Sequence, residues 1–259
     1  MIRKDKQAFS LVELSIVLVI LGLITGAVLV GTSMVRAAQL RNVVTQTERF
    51  INAAKIFRDQ YGALPGDITN AQGYWGVAHA VAATCITTSS STAVTCNGDG
   101  NGMIDVSTGS NERYRFWQHL ANAGLIEGQF TGISASGNTF TSTATNSPAG
   151  KINASLWYAA NWLSLSGDGN RFDGAYNNVL EFGGIVATNE PANVVFSPTE
   201  LGSIDKKTDD GKPAQGKLVM RGVFASCTNG ANSAALTADY LLSSDNNQPA
   251  CAAVWTNAF

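Results

Sequence analysis

The sequence predicts an α+β protein in which one long N-terminal helix precedes a polar domain that contains strands. The first observation is a stretch from Leu14 to Val35 without a single formal charge. The second is a helical apolar pattern that continues from this stretch to Tyr61. The third is a set of short strand-like segments further along the chain, for example residues 178–182 and 217–224.

The apolar stretch is long enough to cross a membrane. It has 22 residues, and a bilayer-spanning helix needs about 20. Arg3, Lys4 and Lys6 precede it, and basic residues tend to stay on the cytoplasmic side. We therefore expect everything after about residue 35 to be extracytoplasmic.

The helix is predicted to continue beyond the apolar stretch as an amphipathic segment. Charged residues such as Arg41, Glu48 and Lys55 lie outside its apolar face. The residues of this face recur in steps of three and four along the chain. They are Leu40, Val43, Thr47, Phe50, Ala54, Phe57 and Tyr61. Gly62 and Pro65 mark the predicted end.

The rest of the chain has the length of one domain and mixes short elements with loops. Ser197 and Glu200 form a capping-box pattern that opens a short helix extending to about Lys207. The pattern at residues 154–165 fits a helix or a strand, and this choice stays open. The remaining predictions are a helix from Glu112 to Leu125, a loop or loose hairpin over residues 129–150, and strands over residues 178–182 and 217–224.

Glu13 lies at the start of the apolar stretch, where a carboxylate is costly and points to a function. Basic residues and the small residue Ala8 precede it, and Phe9 follows Ala8. This arrangement resembles the N-terminal signal of the type IV pilin superfamily, which includes the pseudopilins. A secretory signal peptide or a simple signal anchor is the alternative, but neither gives a reason for Glu13, and a secretory signal has a shorter apolar region.

The resemblance implies roles for three residues. A prepilin peptidase would cut the chain between Ala8 and Phe9, and the new amino group of Phe9 would be N-methylated. Glu13, at the fifth position after the cut, would pair with the Phe9 amine of a neighbouring subunit. The chain departs from the family at one position, because Ala8 stands where the family usually has Gly.

The resemblance also implies an organisation in four parts. Residues 1–8 would be the leader, and residues 9–35 the transmembrane half of the helix, which also forms the filament core. Residues 36–61 would be the amphipathic half, packed on an antiparallel β-sheet. Residues 62–259 would form a periplasmic or extracellular globular domain.

In function, the resemblance implies a pilin or minor pilin that serves as a structural subunit of a type IV pilus or a related filament. The alternatives are a pseudopilin of a type II secretion system and, ranked lower, a signal-anchored extracytoplasmic enzyme or binding domain. The implied partners are copies of the chain, other pilins, the prepilin peptidase and N-methylase, an inner-membrane assembly platform and lipid. The implied location is the inner membrane before assembly, then an extracellular pilus or a periplasmic pseudopilus.

The four cysteines are expected to form disulfides, because the chain after residue 35 is exported. Four cysteines allow three pairings, and the sequence does not choose among them. We favour local pairing, Cys85 with Cys96 and Cys227 with Cys251. Pilins often carry a bridge near the C-terminus, so the resemblance is in accord with the second pair.

A glycine-rich segment resembles the beginning of a calcium-binding EF-hand loop. Asn97, Asp99, Asn101 and Asp105 place side-chain oxygens at the first, third, fifth and ninth positions. The twelfth position is Thr108, where an EF-hand has a bidentate Glu. The alternative is an ordinary turn held by Asn and Asp side chains.

A second acidic group contains Asp205, Asp209 and Asp210. Major pseudopilins bind calcium in a loop toward the C-terminus, so the resemblance permits calcium here as well. Neighbouring lysines offer the alternative of salt bridges. No cofactor is required by the predicted function, and calcium is the one that the two groups suggest.

The sequence gives little support for an enzyme or for a nucleic-acid-binding protein. Its two histidines, His79 and His119, lie in no recognisable catalytic motif. The net charge of −2 provides no basic surface spread over the domain for nucleic acid. We therefore predict a non-enzymatic protein with no nucleic-acid partner.

Overall fold

A computed structural model describes residues 10–106, 111–135, 140–152, 154–243 and 248–259. The backbone separates into two compact units.

The first unit ends at Asn42. Its described part belongs to helix α1 (Leu11–Tyr61), the long N-terminal helix that the sequence predicts. Large apolar side chains such as Leu23 and Ile24 are exposed on it. By length and composition α1 can cross a membrane, although a signal sequence near an N-terminus has the same properties.

The second unit extends from Val43 to Phe259 and includes the last turns of α1. The predicted apolar face is buried there, at Val43, Thr47, Phe50, Ala54 and Phe57. The helix ends where predicted, because Gly62 adopts a left-handed conformation with φ of 74° and its N–H donates to the Arg58 carbonyl.

Among the described residues, the sheet is preceded by three more helices: α2 (Ala71–Trp75), α3 (Ala82–Cys85) and α4 (Glu112–Asn122). Helix α4 begins as predicted but ends three residues before the predicted end. Gly124 has a positive φ of 71°, and the Leu125 N–H donates to the Leu120 carbonyl. This is the Schellman arrangement that terminates a helix, so the glycine ends α4 before Leu125.

The remaining elements form the sheet and its connections. In chain order they are β1 (Ser155–Asn161), β2 (Ser164–Leu165), β3 (Gly174–Ala175), β4 (Asn178–Gly184), α5 (Pro198–Thr208), β5 (Leu218–Gly222), α6 (Phe224–Cys227) and β6 (Cys251–Trp255). The main sheet is antiparallel with the order β1-β4-β6-β5. The α+β prediction with a long helix and an antiparallel sheet is confirmed.

Individual elements refine the sequence predictions. The open choice at residues 154–165 resolves as strand β1 followed by the short strand β2. The predicted capping box of α5 is present, with Ser197 and Glu200 each accepting the other's backbone N–H. The strand predicted over residues 217–224 ends at Gly222, which has a φ of 144° and lies just before α6.

The buried segment of α1 packs on both α4 and the sheet. The Phe50 ring makes edge contacts with Trp117 at 5.0 Å and with Trp157 at 5.4 Å between ring centroids. The Trp157 indole N–H donates to Gln46 Oε1 at 3.1 Å. These contacts join helix and sheet into one core, and the indole finds the partner that a buried Trp requires.

Both local disulfides are formed. Cys85 pairs with Cys96, and Cys227 pairs with Cys251. The second disulfide links α6 to the central strand β6, so the C-terminal strand is covalently attached to the segment that follows β5.

A buried ion network lies on the sheet. Glu181 in β4 accepts from Arg171 at 2.9 Å and from Arg221 at 2.6 Å, and Arg221 also donates to Glu190 at 2.6 Å. Burial alone would raise the pKa of Glu181, but the two arginines outweigh it and lower that pKa. The network therefore holds the loops of Arg171 and Glu190 against the sheet.

We expect Glu181→Ala to destabilise the protein by about 3–5 kcal/mol, because it removes the carboxylate that the buried guanidinium groups of Arg171 and Arg221 share. Asp239→Ala is the control. It breaks the Lys212–Asp239 pair, whose side chains are 51% and 57% exposed, and should change stability far less than Glu181→Ala does. Urea unfolding followed by tryptophan fluorescence measures both. Equal losses in the two variants would contradict the importance of the buried network.

Candidate functional site

Glu13 takes part in a variant of the capping box at the start of α1, in which the N-cap hydroxyl accepts from the second helical N–H and not from the third. The Ser10 backbone N–H donates to Glu13 Oε2 at 2.8 Å, and the Val12 N–H donates to Ser10 Oγ at 3.3 Å. The Ser10 carbonyl accepts the first helical bond, from the Leu14 N–H at 3.2 Å. Ser10 was missed in the sequence analysis, although Ser followed three residues later by Glu is the signal for this arrangement.

Ala8 and Phe9 lie outside the described residues. Cleavage between them and N-methylation of Phe9 therefore stay predictions, as does the pairing of Glu13 with a neighbouring amine.

Three acidic side chains gather beside the glycine-rich loop. Oxygens of Asp67, Asp99 and Glu112 all lie within 4.8 Å of one another. Asp67 belongs to the turn after α1, and Glu112 opens α4, so three separate segments meet here. Carboxylates in such a group are suitable ligands for a hard divalent cation.

The backbone of the loop donates to two of these carboxylates. Asp67 accepts from the N–H groups of Asn101 and Gly102, both at 3.0 Å. Glu112 accepts from the N–H groups of Asp99 at 3.1 Å and Asp105 at 3.0 Å. The loop is thus wrapped around the carboxylates, and its shape depends on them.

Burial changes the titration of this acidic group. Desolvation raises the pKa of Glu112 to about 7 despite its two backbone N–H donors, and the charges of Asp99 and Asp67 add to the increase. Desolvation also raises the pKa of Asp67. Near neutral pH the group therefore retains a proton more readily than ordinary carboxylates do, which a bound cation would reverse.

The residues of the EF-hand-like pattern have different surroundings. Asn97 Oδ1 accepts from the Gln72 N–H, and Asn101 Oδ1 accepts from the Met103 N–H. Asp99 lies in the three-carboxylate group, the Asn101 side-chain amide donates to Asp99 Oδ2 at 3.0 Å, and Asp105 contributes its backbone N–H to Glu112. Thr108 lies outside the described residues.

Asp67 could not be assigned to this group from local spacing, because it lies far from the loop in sequence. Gly98 shows how closely the backbone of the loop approaches the backbone of the turn that contains Asp67. A side chain at Gly98 would come within 2.4 Å of the Asp67 backbone, so the loop contacts the turn directly.

The second predicted acidic group is also brought together, with oxygens of Asp205, Asp209 and Asp210 within 4.8 Å of one another. Asp205 accepts from the Tyr240 hydroxyl at 2.9 Å and from the Gly211 N–H at 3.2 Å. Desolvation raises the pKa of Asp205 to about 7.

The two remaining aspartates of this group serve the turn before β5. Asp209 accepts from the Leu218 N–H at 3.0 Å, and Asp210 accepts from the Lys212 N–H at 2.8 Å. The ammonium of Lys212 pairs with Asp239 instead of these three carboxylates. Calcium at either acidic group stays a prediction.

His119 is a buried structural residue. Its Nδ1 accepts from the Gly66 N–H at 2.9 Å, and its Nε2 lies 2.9 Å from the Thr95 hydroxyl. An accepting Nδ1 requires a neutral ring with the proton on Nε2, and burial and the charge of Arg115 lower the pKa to about 3. Both nitrogens are therefore occupied, and the ring fixes the turn after α1 against α4.

Comparison with known families agrees with the N-terminal features. The model of the prokaryotic N-terminal methylation motif matches residues 3–29. This is the prepilin motif of type IV pilins and pseudopilins, so the N-terminal segment is similar to that of a type IV pilin-like or pseudopilin precursor. The motif suggests a structural subunit rather than an enzyme, and together with the apolar helix it is consistent with membrane anchoring. No curated protein and no solved structure matches the chain.

We expect millimolar calcium to raise the melting temperature at pH 8, because a ligand that binds only the folded state stabilises it by mass action. The increase should be smaller at pH 5, where protonated carboxylates are poor ligands. Asp99→Asn should abolish the increase if the loop binds calcium. Asp209→Asn combined with Asp210→Asn should abolish it if the second group does. An unchanged melting temperature in the wild type would contradict both sites.

The titration shifts predict how stability depends on pH without calcium. The raised pKa values of Glu112 and Asp205 favour the folded state at low pH, and this contribution is lost as the pH rises toward 7. The lowered pKa of His119 acts oppositely, with a contribution present above about 6.5 and lost in acid. Two carboxylates outweigh one histidine between pH 5 and about pH 7, so the protein should be less stable at pH 8 than at pH 5.

Thermal unfolding in a chelator at both pH values tests this expectation. Glu112→Gln should reduce the fall, because it removes one of the two carboxylates. Glu127→Gln should leave it unchanged, since the Glu127 side chain is 92% exposed. A wild-type protein that becomes more stable from pH 5 to pH 8 would show that the sign is wrong.

Proposed function

We propose that this chain is a pilin or minor pilin, a structural subunit of a type IV pilus or a related filament that is assembled from the inner membrane. The observation that carries the proposal is the N-terminal methylation motif at residues 3–29, with Glu13 in the first turn of an exposed apolar helix. A helix that only anchors a domain gains nothing from a carboxylate at this position.

The proposed mechanism is charge neutralisation combined with apolar packing. After cleavage, the Phe9 ammonium of one subunit meets the Glu13 carboxylate of a neighbour, while the apolar helix segments pack together. An ion pair in an apolar environment adds little net affinity, but an unpaired charge there is costly. The pair therefore selects the register in which every carboxylate has an amine.

The proposed partners follow from this mechanism. A prepilin peptidase and N-methylase cuts between Ala8 and Phe9, and an inner-membrane platform adds the subunit to a filament of its own copies and other pilins. Before assembly the helix lies in lipid and the domain from residue 62 is periplasmic. Two disulfides in the described structure support an oxidising compartment.

A pseudopilin of a type II secretion system is the second candidate. The acidic group of Asp205, Asp209 and Asp210 favours it, because it lies toward the C-terminus, where major pseudopilins bind calcium. We propose calcium as a structural ligand in either candidate, and neither requires a catalytic cofactor. Surface filaments recovered by shearing support the pilus, whereas a subunit that stays in the periplasm supports the pseudopilus.

We expect Glu13→Ala to be processed but not assembled. The change makes the segment more apolar, so insertion and cleavage should continue, and the wild-type and variant mature chains should both begin with N-methylated Phe9. Intact mass from membranes checks processing, and sheared filaments check assembly. A mature chain that retains Met1 would contradict the proposed function, and filaments with wild-type amounts of the variant would contradict the ion pair.

A further inference from the structure

The capping box at the start of α1 gives Glu13 a partner within its own subunit. The Ser10 N–H donates to Glu13 Oε2 at 2.8 Å, and Ser10 Oγ accepts from the Val12 N–H at 3.3 Å. A helix start leaves four backbone N–H groups without helical partners, and this reciprocal arrangement satisfies two of them.

We propose that Ser10 is a positioning residue for assembly, which holds the Glu13 carboxylate at the start of the helix until the ammonium of a neighbouring subunit arrives. This inference rests on the proposed function, in which Glu13 is the partner of that ammonium. It adds a residue for which the pairing alone gives no role.

Capping and pairing are compatible at one carboxylate. An ionised carboxylate offers about four acceptor positions on its two oxygens, and the Ser10 N–H uses one position on Oε2. The capped conformation turns the carboxylate back toward the N-terminal side of α1, where the positive end of the helix dipole favours a negative charge. Glu13 is thus oriented before docking and does not have to lose side-chain freedom during it.

The arrangement is independent of leader cleavage. The donating N–H belongs to the peptide bond between Phe9 and Ser10, and the predicted cut lies one bond earlier, between Ala8 and Phe9. The capping box therefore serves the precursor in the membrane as well as the mature subunit. In lipid, where water does not satisfy polar groups, both the N–H groups and the carboxylate benefit.

Substitutions can separate capping from charge. Glu13→Gln keeps an acceptor oxygen for the Ser10 N–H but removes the charge, and Gln is accepted in capping boxes. Ser10→Ala removes the hydroxyl and keeps the charge, whereas Ser10→Thr keeps both. Ser15→Ala is the matched control, because Ser15 Oγ donates to the Val12 carbonyl at 2.9 Å and lies outside the box.

The test uses the full chain, processed in cells. Amide exchange at positions 10 and 12 is measured by NMR in micelles. The filament share is the amount of subunit in sheared filaments divided by the amount of cleaved subunit in the cells. Intact mass identifies the cleaved subunit. Ser10→Ala should exchange faster at both positions and lose about fivefold in filament share, the typical size of an N-cap effect. Ser10→Thr and Ser15→Ala should match the wild type. Glu13→Gln should keep slow exchange at position 10 but fail to assemble.

Either of two results overturns the inference. The first is that Ser10→Ala reaches the filament share of the wild type. The second is that the amide at position 10 exchanges equally fast in the wild type and in Glu13→Leu. In both cases Glu13→Leu still fails to assemble if the proposed ion pair is correct. Filaments formed normally by Glu13→Leu would instead contradict the ion pair, and a wild-type chain that retains Met1 would contradict the proposed function. The two failures are therefore distinguishable.

Discussion

The structure depends on one helix that has to suit two different surroundings. Up to Asn42, α1 exposes large apolar side chains, which suit an apolar environment such as lipid. From Val43 onward, the same helix buries one face in a protein core that is centred on Phe50. A carboxylate at position 13 is costly in the first environment, and Ser10 and the helix start reduce that cost locally.

Within the domain, buried polar groups in pairs and clusters attach loops and turns to the core. Glu181 is enclosed by two arginines, and His119 uses both ring nitrogens to attach the turn after α1 to its surroundings. The acidic group around Asp67 differs, because burial raises the pKa of Asp67 and raises the pKa of Glu112 to about 7. The stability of its loop is therefore expected to respond to pH, and calcium binding there stays a prediction.

Local sequence patterns predicted the elements that are specified by neighbouring residues. The apolar face and end of α1, the capping box of α5 and the existence of β4 and β5 all follow from spacing, caps and turn residues. Strand β6 escaped prediction. It is a short central strand rich in small residues such as Ala252 and Ala253, and its burial comes from β4 and β5 on either side.

The sequence by itself determined the N-terminal motif, the extent of the long helix and the α+β class, because each depends on residues within a few turns of one another. Only the tertiary structure decided which carboxylates share a site. Asp67 meets Asp99 and Glu112 because the turn after α1, the glycine-rich loop and the start of α4 pack together. The pairing of Glu181 with Arg171 and Arg221 has the same origin. The register of the strands and the path of the loops bring these side chains together, and no local sequence pattern encodes either of them.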